Sequence, residues 1–208
     1  MPVILFEGPD NSGKTTFARA VYENLAQVVD GVHYERSPVK ELGWQPGHST
    51  YLKDVSDATQ YLRIQDRTPE ISESVYGIMR GEPRGRGYLF EAYAWVHQPI
   101  YMVFCEGGDL GQRTHKDTLG NDIGLSEHTL ACMLYEEVYF QLRNFMLFTH
   151  THDLRVVKYD RWSKGSWLHT MWGIRHWLGS LFPEQAAEIG KALAFSIDSA
   201  FPMPSEIE

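Results

Sequence analysis

The chain has 208 residues, 43% of them hydrophobic and 22% charged, a composition that suits one folded domain with a sizeable core and excludes wholesale disorder. A net charge of −8 and a pI near 5.6 have the wrong sign for gripping duplex DNA through many phosphates, so any nucleic-acid contact must be local. Two cysteines, Cys105 and Cys132, make neither a disulfide framework nor a zinc site, and no apolar run nears the roughly 20 residues that cross a bilayer, so the expectation is a cytoplasmic protein without a membrane partner.

The opening run Val3 to Phe6 reads as a strand rather than a signal peptide, because Glu7 follows at once and no basic segment precedes it. It stops at a Gly/Pro/Asp/Asn/Ser cluster, and Thr16 to Val29 continues with helical spacing of Phe17, Ala20, Val21, Leu25 and Val28. A second strand is expected at Val32 to Tyr34, ended by Glu35-Arg36-Ser37-Pro38. After a loop from Lys40 to Thr50, Tyr61 to Gln65 reads as a third strand feeding Asp66-Arg67, in competition with the helical spacing of Val55, Ala58 and Leu62. Ser72 to Met79 and Leu89 to His97 read as helices around a glycine-rich turn at 81–87, and the continuously apolar Ile100 to Cys105 as a parallel strand covered on both faces. The composition of 107–124, rich in Gly, Asp, Asn and Thr, is that of a mobile lid. Ser126 to Phe148 reads as a long helix, Leu154 to Tyr159 as a fifth strand, and Trp167 to Leu178 and Pro183 to Phe195 as closing helices. Trp167, Trp172 and Trp177 are expected to anchor the first of these on the core.

This alternation predicts a single α/β domain over 1–208, three-layered, with a central parallel five-stranded sheet flanked by helices and ligands bound at the carboxyl ends of its strands. Glu7-Gly8, Glu35-Arg36, Asp66-Arg67 and Glu106 all fall at such ends.

Gly8 to Thr15 matches the phosphate-binding (Walker A) pattern G-x-x-x-x-G-K-[ST] of P-loop folds at every fixed position, in the required context between a strand and a helix. Backbone N–H groups along Gly8, Asp10, Asn11, Ser12, Gly13, Lys14, Thr15 and Thr16, with the positive helix end, suit the polyphosphate of ATP. Lys14 then reaches the β- and γ-phosphates and Thr15 offers its hydroxyl oxygen to Mg²⁺. Asp66 can orient the Mg²⁺ shell, and the Arg67 guanidinium offers a bidentate fork for phosphate; the plainer reading is an Asp–Arg pair that caps the next helix. Arg80, Arg84 and Arg86 form a basic patch that either binds phosphates or a nucleic-acid strand or is simply solvated.

The stretch Phe6-Glu7-Gly8-Pro9-Asp10-Asn11-Ser12-Gly13-Lys14-Thr15-Thr16 resembles the thymidylate kinase loop F-E-G-x-D-G-S-G-K-S-T, with Asp10 at the family's loop aspartate and Asn11 where one subtype carries its catalytic arginine. That substitution points to the subtype that supplies arginine from the lid, for which Arg113, ahead of Lys116, is the choice; a solvated loop charge is the alternative. Asp66 to Gly77 is similar to the family's D-R-Y-x-x-S-x-x-A-Y segment with the tyrosine one residue further on. The resemblance implies that Arg67 holds the acceptor's 5′-phosphate, that Ser72 and Tyr76 frame its base, and that Glu35 and Arg36 face the acceptor. Thymidylate kinases carry R-E-P at this last place, whereas the related deoxynucleoside kinases use a glutamate there as base; Glu35 is either that base or a solvated charge at a strand end. Trp162 lies near where such kinases receive adenine, and family members often dimerise through helices such as the one after Ser126.

The activity implied is ATP- and Mg²⁺-dependent phosphorylation of a small deoxynucleoside monophosphate, with Lys14, Asp66, Arg67, Arg113 and Glu35 about the reacting groups and Thr15 and Asp66 at the metal. The competing expectation is a kinase for a hydroxyl, on a deoxynucleoside or on a hydroxymethylated pyrimidine in DNA, with Glu35 as base.

Overall fold

A computed structural model describes residues 2–10, 12–36, 62–81, 99–107, 115–116, 122–149, 154–160 and 163–199. Within them the order is β1 (Val3–Glu7), α1 (Lys14–Leu25), β2 (His33–Arg36), β3 (Arg63–Asp66), α2 (Pro69–Met79), β4 (Ile100–Cys105), β5 (His115–Lys116), β6 (Asp122–Ile123), α3 (Leu125–Thr149), β7 (Leu154–Tyr159), α4 (Lys164–Leu181), a 3₁₀ turn (Pro183–Gln185) and α5 (Ala186–Ser199). Five strands form one sheet in the order β2-β3-β1-β4-β7, with every pairing parallel. The two short strands β5 and β6 pair antiparallel within the span expected to be a lid.

β1 occupies the middle of the sheet and is buried throughout, as the apolar run Val3 to Phe6 requires of a strand covered on both faces. Alternation along it divides the core into two layers. Ile4 and Phe6 face α1, α4 and α5, where Phe17 packs its ring 5.1 Å from Phe6, 4.4 Å from Tyr159 and 4.2 Å from Trp167. Val3 and Leu5 face α2 and α3, against Ile71, Val75, Tyr135 and Leu142.

This layering fixes where a ligand can enter. The chain leaving β1 turns to the α1 face, whereas the next helices after its two neighbours, β3 and β4, lie on the opposite face. The helices that follow β1 and β3 thus lie on opposite faces, the arrangement in which an α/β sheet takes a ligand in a crevice at the carboxyl ends of those strands.

Several boundaries differ from expectation for physical reasons. β2 extends through Arg36, since pairing with β3 continues to Arg36 opposite Asp66. α2 begins at Pro69 rather than Ser72, because the Thr68 hydroxyl accepts the Ile71 N–H at 3.2 Å as an N-cap and proline suits a first turn. The last helix is entered through a separate 3₁₀ turn at Pro183–Gln185. Trp167 and Trp177 anchor α4 on the core as expected, but Trp172 is 63% exposed and stacks on His176. A five-residue step advances about 140° beyond a full turn, which carries Trp172 off the buried face. Cys105 is buried, whereas Cys132 is half-buried with Sγ 3.6 Å from His128 Nε2. The expected helix Leu89 to His97 lies outside the described residues. Among the described residues no helix is long and apolar enough to cross a membrane.

Candidate functional site

The segment from Gly8 to Thr15 joins the carboxyl end of β1 to the first turn of α1. Gly8 (φ +146°) and Gly13 (φ +81°) take backbone conformations that side chains resist, and Gly13 is the N-cap of α1 with no side-chain cap bond. Among the described residues no side chain receives the first N–H groups of α1, which suits an anion. Ser12 Oγ is buried there and has no hydrogen-bond partner among the described residues.

Lys14 opens α1 and is itself buried, its Nζ donating to the Pro9 carbonyl at 3.0 Å and standing 3.8 Å from Asp10 Oδ1. Burial and the nearby Arg67 charge lower its pKa to about 8. Beside it, Thr15 Oγ1 donates to Asp66 Oδ2 at 2.6 Å, an acceptor shared with the Tyr34 hydroxyl at 3.3 Å. Asp66 Oδ1 is buried with no hydrogen-bond partner among the described residues, and Arg36 Nε lies 3.9 Å from Oδ2.

The second wall comes from the turn between β3 and α2. Arg67 has φ +75°, a left-handed conformation unusual for a side-chain-bearing residue, and its N–H donates to the Phe6 carbonyl at 2.9 Å. Its guanidinium pairs with Asp10 and lies 5.5 Å from the Tyr76 ring centre. Burial works against that cation, but Tyr135, Tyr76, Asp10 and Glu7 around it hold it protonated. Burial also opposes ionisation of Asp10, yet Arg67 and Lys14 keep its carboxyl below the usual range. The Tyr76 hydroxyl accepts the Asp10 N–H at 3.2 Å and so ties α2 to the loop; burial pushes this phenol up to about 12.

Asp10, Ser12, Gly13, Lys14, Thr15, Arg36, Asp66, Arg67 and Tyr76 thus meet around one crevice, with Thr16 exposed on the first turn of α1. Two expected residues stand apart. Glu35 and Arg36 alternate on β2, so Arg36 turns with Tyr34 toward Asp66 while Glu35 turns to the other face, 3.5 Å from Arg63. Ser72 is fully buried, with its hydroxyl 3.5 Å from that of Tyr135, inside the packing of α2 on α3. Asn11, Arg84, Arg86, Arg113 and Trp162 lie outside the described residues, and Arg80, at the end of α2, pairs with Glu73 at 2.6 Å.

Sequence reasoning missed Glu7 as a member of this site. It is fully buried, accepts the Thr68 N–H through Oε1, and is raised to about 7 by burial, against the pull of that hydrogen bond and of Arg67 and Lys14. The signal was present: a carboxylate ending a strand in which every other residue is apolar. Tyr34, which bonds Asp66, carries no such signal, since in the sequence it only ends a strand.

Thr15 and Asp66 offer oxygen ligands of the kind Mg²⁺ prefers, and the unpartnered Asp66 Oδ1 fits a site completed by a cation or its water shell. The loop and Lys14 fit a polyphosphate by the same test, since the helix end and the Ser12 hydroxyl have no side-chain partner among the described residues. No family model matches the chain, and no curated protein matches it in sequence.

Proposed function

We propose that this chain is a phosphotransferase of the P-loop kind that moves the γ-phosphoryl group of ATP, with Mg²⁺, to the phosphate of a deoxynucleoside monophosphate, with thymidylate as the first substrate to try. The observation that carries the reading is the convergence of Lys14 and Thr15, at the start of α1, with Asp66 and Arg67, at the end of β3, around a helix N-terminus that no side chain among the described residues caps.

Loop amides and Lys14 hold the β- and γ-phosphates of the donor, while Thr15 and Asp66 hold Mg²⁺. Mg²⁺ held by these two residues would offset negative charge on the donor's phosphates. Arg67 leaves its partner Asp10 to grip the acceptor phosphate, and Tyr76 keeps the loop and α2 in register while it does so. An oxygen of the acceptor phosphate attacks the γ-phosphorus, the bond to the β–γ bridging oxygen breaks, and ADP leaves with a deoxynucleoside diphosphate as the second product. The attacking oxygen is already ionised, so no general base is required. Arg113, in the 107–124 segment, is the cation offered for charge on the transferring group.

Incubation with labelled ATP and Mg²⁺ against a panel of deoxynucleosides, their monophosphates and DNA containing hydroxymethylated pyrimidine tests the class. Transfer to a monophosphate is expected; transfer only to hydroxyl acceptors overturns the choice of acceptor. Glu35→Gln is expected to keep turnover within about threefold, because Glu35 is paired with Arg63 on the face away from Asp66; a loss of about a thousandfold would assign it as base to a hydroxyl.

A further inference from the structure

Glu7 has no part in the chemistry proposed above, yet a carboxylate buried at the end of an apolar strand costs free energy unless it is hydrogen-bonded or paired there. What it does is geometric. Arg67 and Thr68 form the turn from β3 into α2, and their consecutive backbone N–H groups are both received by consecutive residues of β1: that of Arg67 by the Phe6 carbonyl at 2.9 Å, that of Thr68 by the Glu7 carboxylate. Between these two anchors Arg67 sits at φ +75°, a conformation that costs an ordinary residue about 1–3 kcal/mol and persists only where its surroundings impose it. Thr68 in turn caps α2 through its hydroxyl. Removing the carboxylate releases the Thr68 amide, and the turn then loses one of its two clamps.

We propose that Glu7 is a positioning residue: by receiving the Thr68 amide it holds Arg67 in the left-handed conformation that aims the guanidinium across the Gly8–Thr15 loop. The consequence for acceptor binding rests on the reading of Arg67 as the acceptor-phosphate residue; the hold on the turn does not.

The test compares the full-length wild type with Glu7→Gln, which keeps an oxygen for the amide, and with Glu7→Ala and Glu7→Leu, which do not. Leucine fills the buried volume and serves where alanine fails to fold. Two quantities are read: hydrogen exchange at the Thr68 amide relative to amides of β4, and binding of thymidine monophosphate and, separately, of a non-hydrolysable ATP analogue with Mg²⁺. The apolar variants are expected to lose about tenfold or more of the Thr68 protection and about tenfold of thymidylate affinity, with ATP-analogue affinity within about threefold, whereas glutamine keeps all three near wild type. Undiminished Thr68 protection in the apolar variants, an equal loss with glutamine, or a matching loss of ATP-analogue affinity overturns the proposal. If the wild type binds the ATP analogue and no monophosphate, the acceptor reading fails, and the exchange pattern alone decides the role of Glu7.

Discussion

A Cβ placed on Gly8 would stand 2.3 Å from the carbonyl oxygen of Cys105, on the neighbouring strand. That oxygen is main chain in a parallel ladder where Glu7 pairs with Phe104, so it cannot swing aside as a side-chain tip would. Gly8 also holds φ +146°, which adds strain to any substitution. Gly8→Ala is expected to destabilise the fold by more than about 2 kcal/mol in denaturant titrations and to weaken nucleotide binding. An alanine variant within about 0.5 kcal/mol of wild type would mean that β1 and β4 separate there without cost.

Lys14, with its pKa lowered to about 8, is partly deprotonated in the free protein under mildly alkaline conditions. The sign for folding follows: its buried ammonium costs stability below pH 8, and that cost is relieved as pH rises from about 8 toward the ordinary value of 10.5. Phosphate beside the ammonium raises its pKa again. Binding of an ATP analogue near pH 8.5 is therefore expected to take up a fraction of a proton, visible as a dependence of the calorimetric enthalpy on the buffer's ionisation enthalpy, and to take up almost none near pH 6.5. The same uptake in Lys14→Met would assign the proton elsewhere.

The 2.6 Å bond from Thr15 to Asp66 ties a candidate metal ligand to the strand next to β1. Thr15→Ala is expected to change stability by no more than about 1 kcal/mol, since one partly exposed hydrogen bond is lost, but to lower kcat/KM by about a hundredfold or more and raise the Mg²⁺ concentration needed for half-maximal rate. Thr15→Ser, which keeps the hydroxyl, should stay within about tenfold of wild type. An unchanged Mg²⁺ dependence in the alanine variant would remove Thr15 from the metal.

Glu7 supplies a stability test that needs no ligand. Its carboxyl is raised from the ordinary 4.5 to about 7 by burial, so between those values the folded chain binds more protons than the unfolded one and stability falls as pH rises. The effect amounts to roughly 3 kcal/mol at most. Glu7→Gln is neutral at every pH, and its stability relative to wild type should therefore improve from pH 5 to pH 7.5. A constant difference across that range would mean that Glu7 is ionised throughout.

Two strands of the parallel sheet were legible from their residues: Ile100 to Cys105 is apolar throughout, as a strand covered on both faces requires, and Leu154 to Tyr159 forms a strand around Val156 and Val157 although Arg155 and Lys158 interrupt its apolar run. The glycine loop was legible as a turn because Gly8 and Gly13 mark two backbone positions that side chains resist, between a strand and a helix. The tertiary partners of polar residues at strand ends were not. Glu35 and Arg36 read as one group until strand alternation sends them to opposite faces, and nothing local marks Arg67 as left-handed, since the carbonyl and carboxylate that hold the turn lie on β1. Thr68 before Pro69 is itself a cap signature, and α2 starts there rather than at Ser72, a residue that packs inside the helix pair.

The contacts that make up the crevice span long stretches of chain: Thr15 to Asp66 across 51 residues, Asp10 to Arg67 across 57, Glu7 to Thr68 across 61. No fragment around the loop can assemble them, and they close only once β3 has docked beside β1, an event delayed by the entropy of the intervening chain. A ligand seated there therefore recognises only chains whose central ladder is complete, and adds about 2.7 kcal/mol to their stability at a hundred times its Kd. Binding at this place is thus a readout of completed pairing: a chain in which β1 and β3 have not met offers such a ligand no seat.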